Sequence, residues 1–122
     1  MNHLMNVPSP FEKTMGELYI KHPDFGQNGY CLAPYSSAEH LAPAVISESE
    51  FYAAVDFLRL VGELIRNPVS SYKLKHIAEK AQKKYISNGA MIAAAYYLGF
   101  SVRRIKDSSN ATIRLPEYRT LH

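Results

Sequence analysis

Between Ser87 and Gly99 the chain carries a stretch with no charged side chain: Ala90, Met91, Ile92, Ala93, Ala94, Ala95, Tyr96, Tyr97 and Leu98. Ser87 is a good helix cap, and Gly99 suits the left-handed residue that closes a helix. A helix apolar on every side has no face to give to water, so it must lie between other layers of the fold. The longest apolar run, residues 90–100, is about half the ~20 residues a membrane-crossing helix needs. The segment therefore predicts the buried helix of a soluble protein, over 88–98.

The rest of the chain must supply the layers. Ser47 and Glu50 form a capping-box pair that opens a helix over 48–66, stopped by Pro68. Phe51, Ala54, Val55, Phe57, Leu58, Leu60, Val61, Leu64 and Ile65 make it the expected spine of the core. Asp56, Arg59, Glu63 and Arg66 share one polar stripe in which opposite charges can pair. A helix over 71–85 follows, with Leu74, Ile77, Ala78, Ala81 and Tyr85 on a narrow apolar stripe. Its wet side is expected to carry Lys73, Lys75, His76, Lys80, Lys83 and Lys84, opposed by Glu79.

Two readings fit residues 100–115. The first is a β-hairpin, with β-branched Val102, Ile105, Thr112 and Ile113 in its arms and a turn over 107–110. The second is a further helix, in which Ala95, Gly99 and Ile105 take the small, turn and buried positions of a helix-turn-helix; Ser108 then stands where an apolar residue is wanted. The β-branched arms favour the hairpin.

At the N-terminus, residues 1–10 read as a flexible arm. Ser9 and Pro10 open a short helix over 11–21 with Phe11, Met15, Leu18 and Tyr19 on one face. Residues 22–46 are irregular, broken by Pro23, Gly26, Asn28, Gly29, Pro34 and Pro43, with a brief strand possible over 30–33. Residues 116–122 form a tail. The expected fold is a single α+β domain over 1–122, mainly helical, with its core in 47–115.

Charge is divided along the chain. Residues 1–69 hold four cations against eight acids, and residues 70–122 hold ten cations against three acids, giving a net +3. A basic block on a folded segment attracts polyanions, nucleic acid above all. The expected contacts are Lys73, Lys80, Lys83, Lys84, Asn88, Arg103, Arg104, Lys106 and Arg114. The acidic first half and the tyrosines of the irregular segment and tail, Tyr30, Tyr35 and Tyr118, point to a second class of partner, a protein or a second copy of the chain.

Helix, helix, helix and ribbon over 47–115 is an order that resembles the winged helix-turn-helix domain. The residues that carry the resemblance are Ile77-Ala78, Ser87 at the start of the third helix, and Leu98-Gly99-Phe100 leading to Arg103-Arg104, and they span a little over half the chain. The resemblance implies that 71–85 positions, 88–98 recognises and 100–115 is the wing. The string from Ser87 to Phe100 is also similar to short uncharacterised proteins of bacterial mobile elements, a likeness from which no activity follows. A recognition helix usually presents Arg, Lys, Asn or Gln to base edges. This one offers Asn88 and the hydroxyls of Tyr96 and Tyr97, so the expected contacts go to phosphates, with little sequence preference.

Catalytic and cofactor signatures are missing. There is no G-x-x-x-x-G-K-[ST] or G-x-G-x-x-G string. The amides over 87–90 could hold an anion, though Ser87 reads first as a cap. His3, His22, His40, His76 and His122 show no i, i+4 pair and Cys31 has no second cysteine, so no metal or cofactor is expected. Cys31 with His22 or His40, and Asp24 or Glu39 nearby, would be the catalytic candidates of a loop-borne site, but the lone cysteine reads as a small buried residue and no enzyme is expected. With no disulfide possible within the chain and no signal-like N-terminus, the expected compartment is the cytoplasm.

Overall fold

The computed structural model describes residues 7–30 and 45–116. The order is helix α1 (Pro10–Lys21), strands β1 (Phe25–Gly26) and β2 (Gly29–Tyr30), helix α2 (Glu48–Val61) with a 3-10 turn (Gly62–Leu64), strand β3 (Val69–Ser70), helices α3 (Ser71–Gln82) and α4 (Asn88–Leu98), and strands β4 (Ser101–Arg104) and β5 (Ala111–Arg114). The α+β class holds, and the hairpin over 100–115 replaces the alternative of a further helix.

Helix α4 is the centre. Residues 88–95 are all buried, and α1, α2, α3, β2, β4 and β5 all pack on it. Its alanines let these neighbours come close, while Met91 and Ile92 belong to one core with Phe51, Leu58 and Ile113. Full burial of side chains of this size is worth about 1.5–3 kcal/mol each. The spine of the core is thus α4, with α2 as its largest partner.

Helix α1 begins at Pro10, so the arm ends one residue earlier than expected. Ser9 Oγ accepts from the Glu12 amide, and the Glu12 carboxylate accepts from the Ser9 amide. Thr14, Met15 and Leu18 are buried and Tyr19 is turned outward. Helix α2 stops at Val61, short of the expected 66. Ile65 has to enter the core, and its carbonyl accepts from Leu115 N at 2.6 Å, so the chain turns before Pro68 is reached. Leu60 and Leu64 consequently face water, at 79% and 80% exposure. Ion pairs do not form within the Asp56, Arg59, Glu63 and Arg66 stripe among the described residues.

Only half of the expected capping box forms at α2. Ser47 Oγ accepts from Glu50 N, but the Glu50 carboxylate reaches across to Ser87 N at 2.9 Å. One carboxylate so ties the starts of α2 and α4 together.

Strand β3 lies between the helices expected over 48–66 and 71–85. Val69 pairs with Ile113 and Ser70 with Thr112, giving a three-stranded antiparallel sheet in the order β3-β5-β4. Val69, Val102 and Ile113 share the inward face. Ser71 is buried, and its hydroxyl accepts from Ala111 N at 3.0 Å, fixing the start of α3 to the start of β5.

The strand expected over 30–33 is replaced, in its described part, by the β1–β2 hairpin, with Phe25 opposite Tyr30 and Gly26 opposite Gly29. Gly29 has φ +100°, and a Cβ there would strike the Ser109 carbonyl oxygen. Residues 31–33, Tyr35, Tyr118, Cys31 and most of the tail lie outside the described residues. No helix among the described residues is long and apolar enough to cross a membrane.

Candidate nucleic-acid interface

The basic half of the chain sorts into side chains turned outward and side chains used inside. Lys73, Lys80, Lys83 and Lys84 are exposed on and just after α3. Lys73 and Lys80 stand seven apart and share a face of the helix with Ile77, which is 45% exposed and so falls outside the buried stripe. Ala81 and Tyr85 are exposed as well, and the buried stripe narrows to Ser71, Leu74, Lys75 and Ala78.

Lys75 was expected on the wet side and is instead 6% exposed. Its ammonium donates to Glu79 Oε2 at 3.0 Å and lies 5.5 Å from the Tyr72 ring centre and 4.9 Å from that of Tyr85. Glu79 Oε2 also accepts from Ile86 N at 3.1 Å, and Oε1 meets His76 Nδ1 at 3.1 Å. Burial pushes the Glu79 carboxyl up, but the Ile86 amide, the Lys75 ammonium and the His76 ring outweigh it and hold it below its ordinary value. This hub sets the end of α3. Lys83 takes the left-handed cap at φ 52°, so the helix ends at Gln82, three residues before the expected terminus, because Ile86 must enter the core and Ser87 must cap α4.

On the sheet, cross-strand partners point to the same face. Arg103 opposite Thr112 and Arg114 opposite Ser101 belong to the outward face, whereas Arg104 stands opposite buried Ala111. Arg104 grips Asp24, Nη2 to Oδ2 at 2.7 Å, and its guanidinium lies 4.5 Å from the centre of the Tyr30 ring. Arg104 therefore clasps the N-terminal hairpin to the ribbon, where a phosphate would have to compete with Asp24 for its guanidinium. Lys106 is exposed in the turn beyond β4. Arg114 is half-buried, and its Nη1 donates to the Leu115 carbonyl at 3.1 Å.

Asn88, also expected as a contact, lies inside the fold. It is 6% exposed, and its Nδ2 is shared among the Asn28 carbonyl at 3.0 Å, the Ser109 carbonyl at 3.3 Å and Asn110 Oδ1 at 2.9 Å. The two backbone carbonyls fix which end of the amide faces them. Asn88 thus joins the β1–β2 turn, the start of α4 and the ribbon turn. The helix start is closed to an anion: Gly89 N donates to the Gln27 carbonyl at 2.8 Å and Ala90 N to Ser87 Oγ at 3.1 Å. A Cβ on Gly89 would strike the Gly26 carbonyl oxygen. Toward its other end, Tyr96 donates its hydroxyl to Glu17 and accepts from Lys21. The helix that the winged-helix resemblance makes the reader of bases is therefore enclosed by the N-terminal elements.

Of the catalytic candidates, His22 and Asp24 are described, and Glu39 and His40 lie outside the described residues. Asp24 is held by Arg104, and Cys31 lies outside the described residues. His22 rests edge-on against Tyr30 at 5.0 Å, and burial, with Arg104 nearby, lowers its pKa. Among the described residues no three His, Cys, Asp or Glu side chains converge as metal ligands would. A small depression of about 150 Å³ lies between Leu58, Gly62, Leu98, Phe100 and Leu115, with Arg59 and Glu63 also lining it. None of the expected contacts lines it.

Comparison with protein-family models, with curated proteins and with solved structures finds no match for this chain.

Proposed function

We propose that the chain is a small nucleic-acid-binding protein of winged-helix-like architecture, an accessory or regulatory protein that grips the phosphate backbone with little sequence preference. One observation carries the reading: Lys73, Lys80, Lys83, Lys84, Arg103 and Lys106 are exposed, and none has a carboxylate partner among the described residues. The order helix, strand, helix, helix, strand, strand over 48–114, with the first strand beside the last, supports the winged-helix likeness. The enclosed α4 argues against base readout by that helix and for contacts from α3 and the ribbon. An accessory role in a mobile element fits the likeness of residues 87–100.

Lys80→Glu with Lys84→Glu, and separately Arg103→Glu with Lys106→Glu, are expected to weaken binding of a labelled oligonucleotide in low salt at least tenfold. Unchanged affinity in both variants would remove the reading.

A second reading, a protein-interaction module, is favoured by Leu60 and Leu64, two exposed leucines one turn apart beside the depression. Leu60→Glu with Leu64→Glu should abolish association with a second copy or a protein partner if this face is used, while leaving the oligonucleotide unaffected.

A further inference from the structure

Two tyrosines stand among the lysines of α3 with about half of their surface in water, Tyr72 at 51% and Tyr85 at 55%. Neither fills the core. Each ring is set against the Lys75 ammonium, which is itself tied to Glu79, and Glu79 is tied to the backbone at Ile86. The His76 and Tyr72 rings are perpendicular, at 87°, with their centres 4.5 Å apart. Both rings are therefore positioned from beneath by a buried charge. The two ring centres lie within about 10 Å of each other, the most that their approaches to Lys75 allow.

Positioned, half-exposed rings between cations are what an unpaired strand needs: lysines follow the backbone while bases stack on the aromatic faces. A duplex keeps its bases stacked on one another and offers these rings only its groove edges and phosphates. It is read instead by a helix or ribbon entering a groove, and α4, the helix that would do so, is enclosed. We infer that the preferred ligand of this surface is single-stranded nucleic acid, with bases stacked on Tyr72 and Tyr85 while Lys73, Lys80 and Lys84 hold the backbone. This inference rests on the nucleic-acid reading above.

The test uses the full chain with two probes, a labelled oligothymidylate of about 16 nucleotides and a blunt DNA duplex of equal phosphate count. The wild type is expected to bind the oligothymidylate more tightly. Tyr72→Ala with Tyr85→Ala should weaken that binding by roughly tenfold per ring while duplex affinity stays within about threefold. Tyr72→Phe with Tyr85→Phe should restore it. Tyr72→Leu with Tyr85→Leu, which keeps bulk over Lys75 without an aromatic face, should behave as the alanine pair does. Because the chain has no tryptophan, Tyr85→Trp gives an independent signal, expected to be quenched by oligothymidylate and not by duplex. Stacking is overturned if the alanine pair binds oligothymidylate as the wild type does, or if it loses both probes equally. If Lys80→Glu with Lys84→Glu then loses both probes, phosphate binding stands without stacking. If the wild type binds neither probe in low salt, both readings fall together.

Discussion

Arg103 and Arg104 are neighbours on β4 and belong to opposite faces of the sheet, Arg103 opposite Thr112 and Arg104 opposite Ala111. The sequence makes them look like one basic pair. The pleat gives Arg103 to solvent and Arg104 to Asp24 and Tyr30. Arg103→Ala should lower oligonucleotide affinity and reduce the salt slope by about one contact, ~0.7 for a single strand. Arg104→Ala should leave the slope unchanged and cost stability, by about 1 kcal/mol or less for a partly exposed pair. Salt titrations of both variants, with denaturant curves, check the division.

The junction at Asn88 is expected to be structural. Asn88→Ala takes the side-chain donor from the Asn28 carbonyl, while the Ser109 carbonyl keeps the Tyr30 amide, and should destabilise the chain by about 1–3 kcal/mol. Gly89→Ala forces α4 away from the Gly26 carbonyl, at a cost of about 1–3 kcal/mol. Urea unfolding measures both. Oligonucleotide affinity of the folded fraction should not change in either variant.

Glu79 gives the fold an acid sensitivity. Its carboxyl is held below its ordinary value in the folded chain, so the ionised form's contribution is fully present above the unfolded pKa of about 4.3. That contribution is lost as pH falls through the folded value. Glu79→Gln should therefore lower the urea midpoint near neutral pH, and its difference from the wild type should shrink as pH falls below the unfolded value and through the lower folded one. A difference independent of pH would show that the ionised carboxylate is not what holds Lys75 and Ile86.

Residues 88–98 were legible as a central helix because apolarity on all sides admits one place in a fold, and Ser87 and Gly99 mark its ends. The caps at Ser9 and Ser47 and the hairpin over 100–115 were legible for similarly local reasons. Strand β3 was not, since two residues carry no period and Val69–Ser70 is a strand only because β5 lies beside it. Lys75 was misplaced because stripe arithmetic assigns lysine to water, whereas a carboxylate one turn on and two rings let this one be buried. Glu50 was misread as a local cap because its partner, Ser87, is far away in sequence. The β1–β2 hairpin had a usable signal in Asn28-Gly29, a favoured turn pair. The stacking role proposed for Tyr72 and Tyr85 had none, because it depends on the burial of Lys75 between them and, for Tyr85, on where α3 ends.

The salt dependence of oligonucleotide binding by the wild-type chain tests the phosphate-gripping surface most directly. With three to six of the unpartnered cations engaged, the logarithm of the affinity should fall linearly with the logarithm of salt concentration, with a slope of about −2 to −4 for a single strand. A slope near zero, or no binding at the lowest salt, would contradict the account.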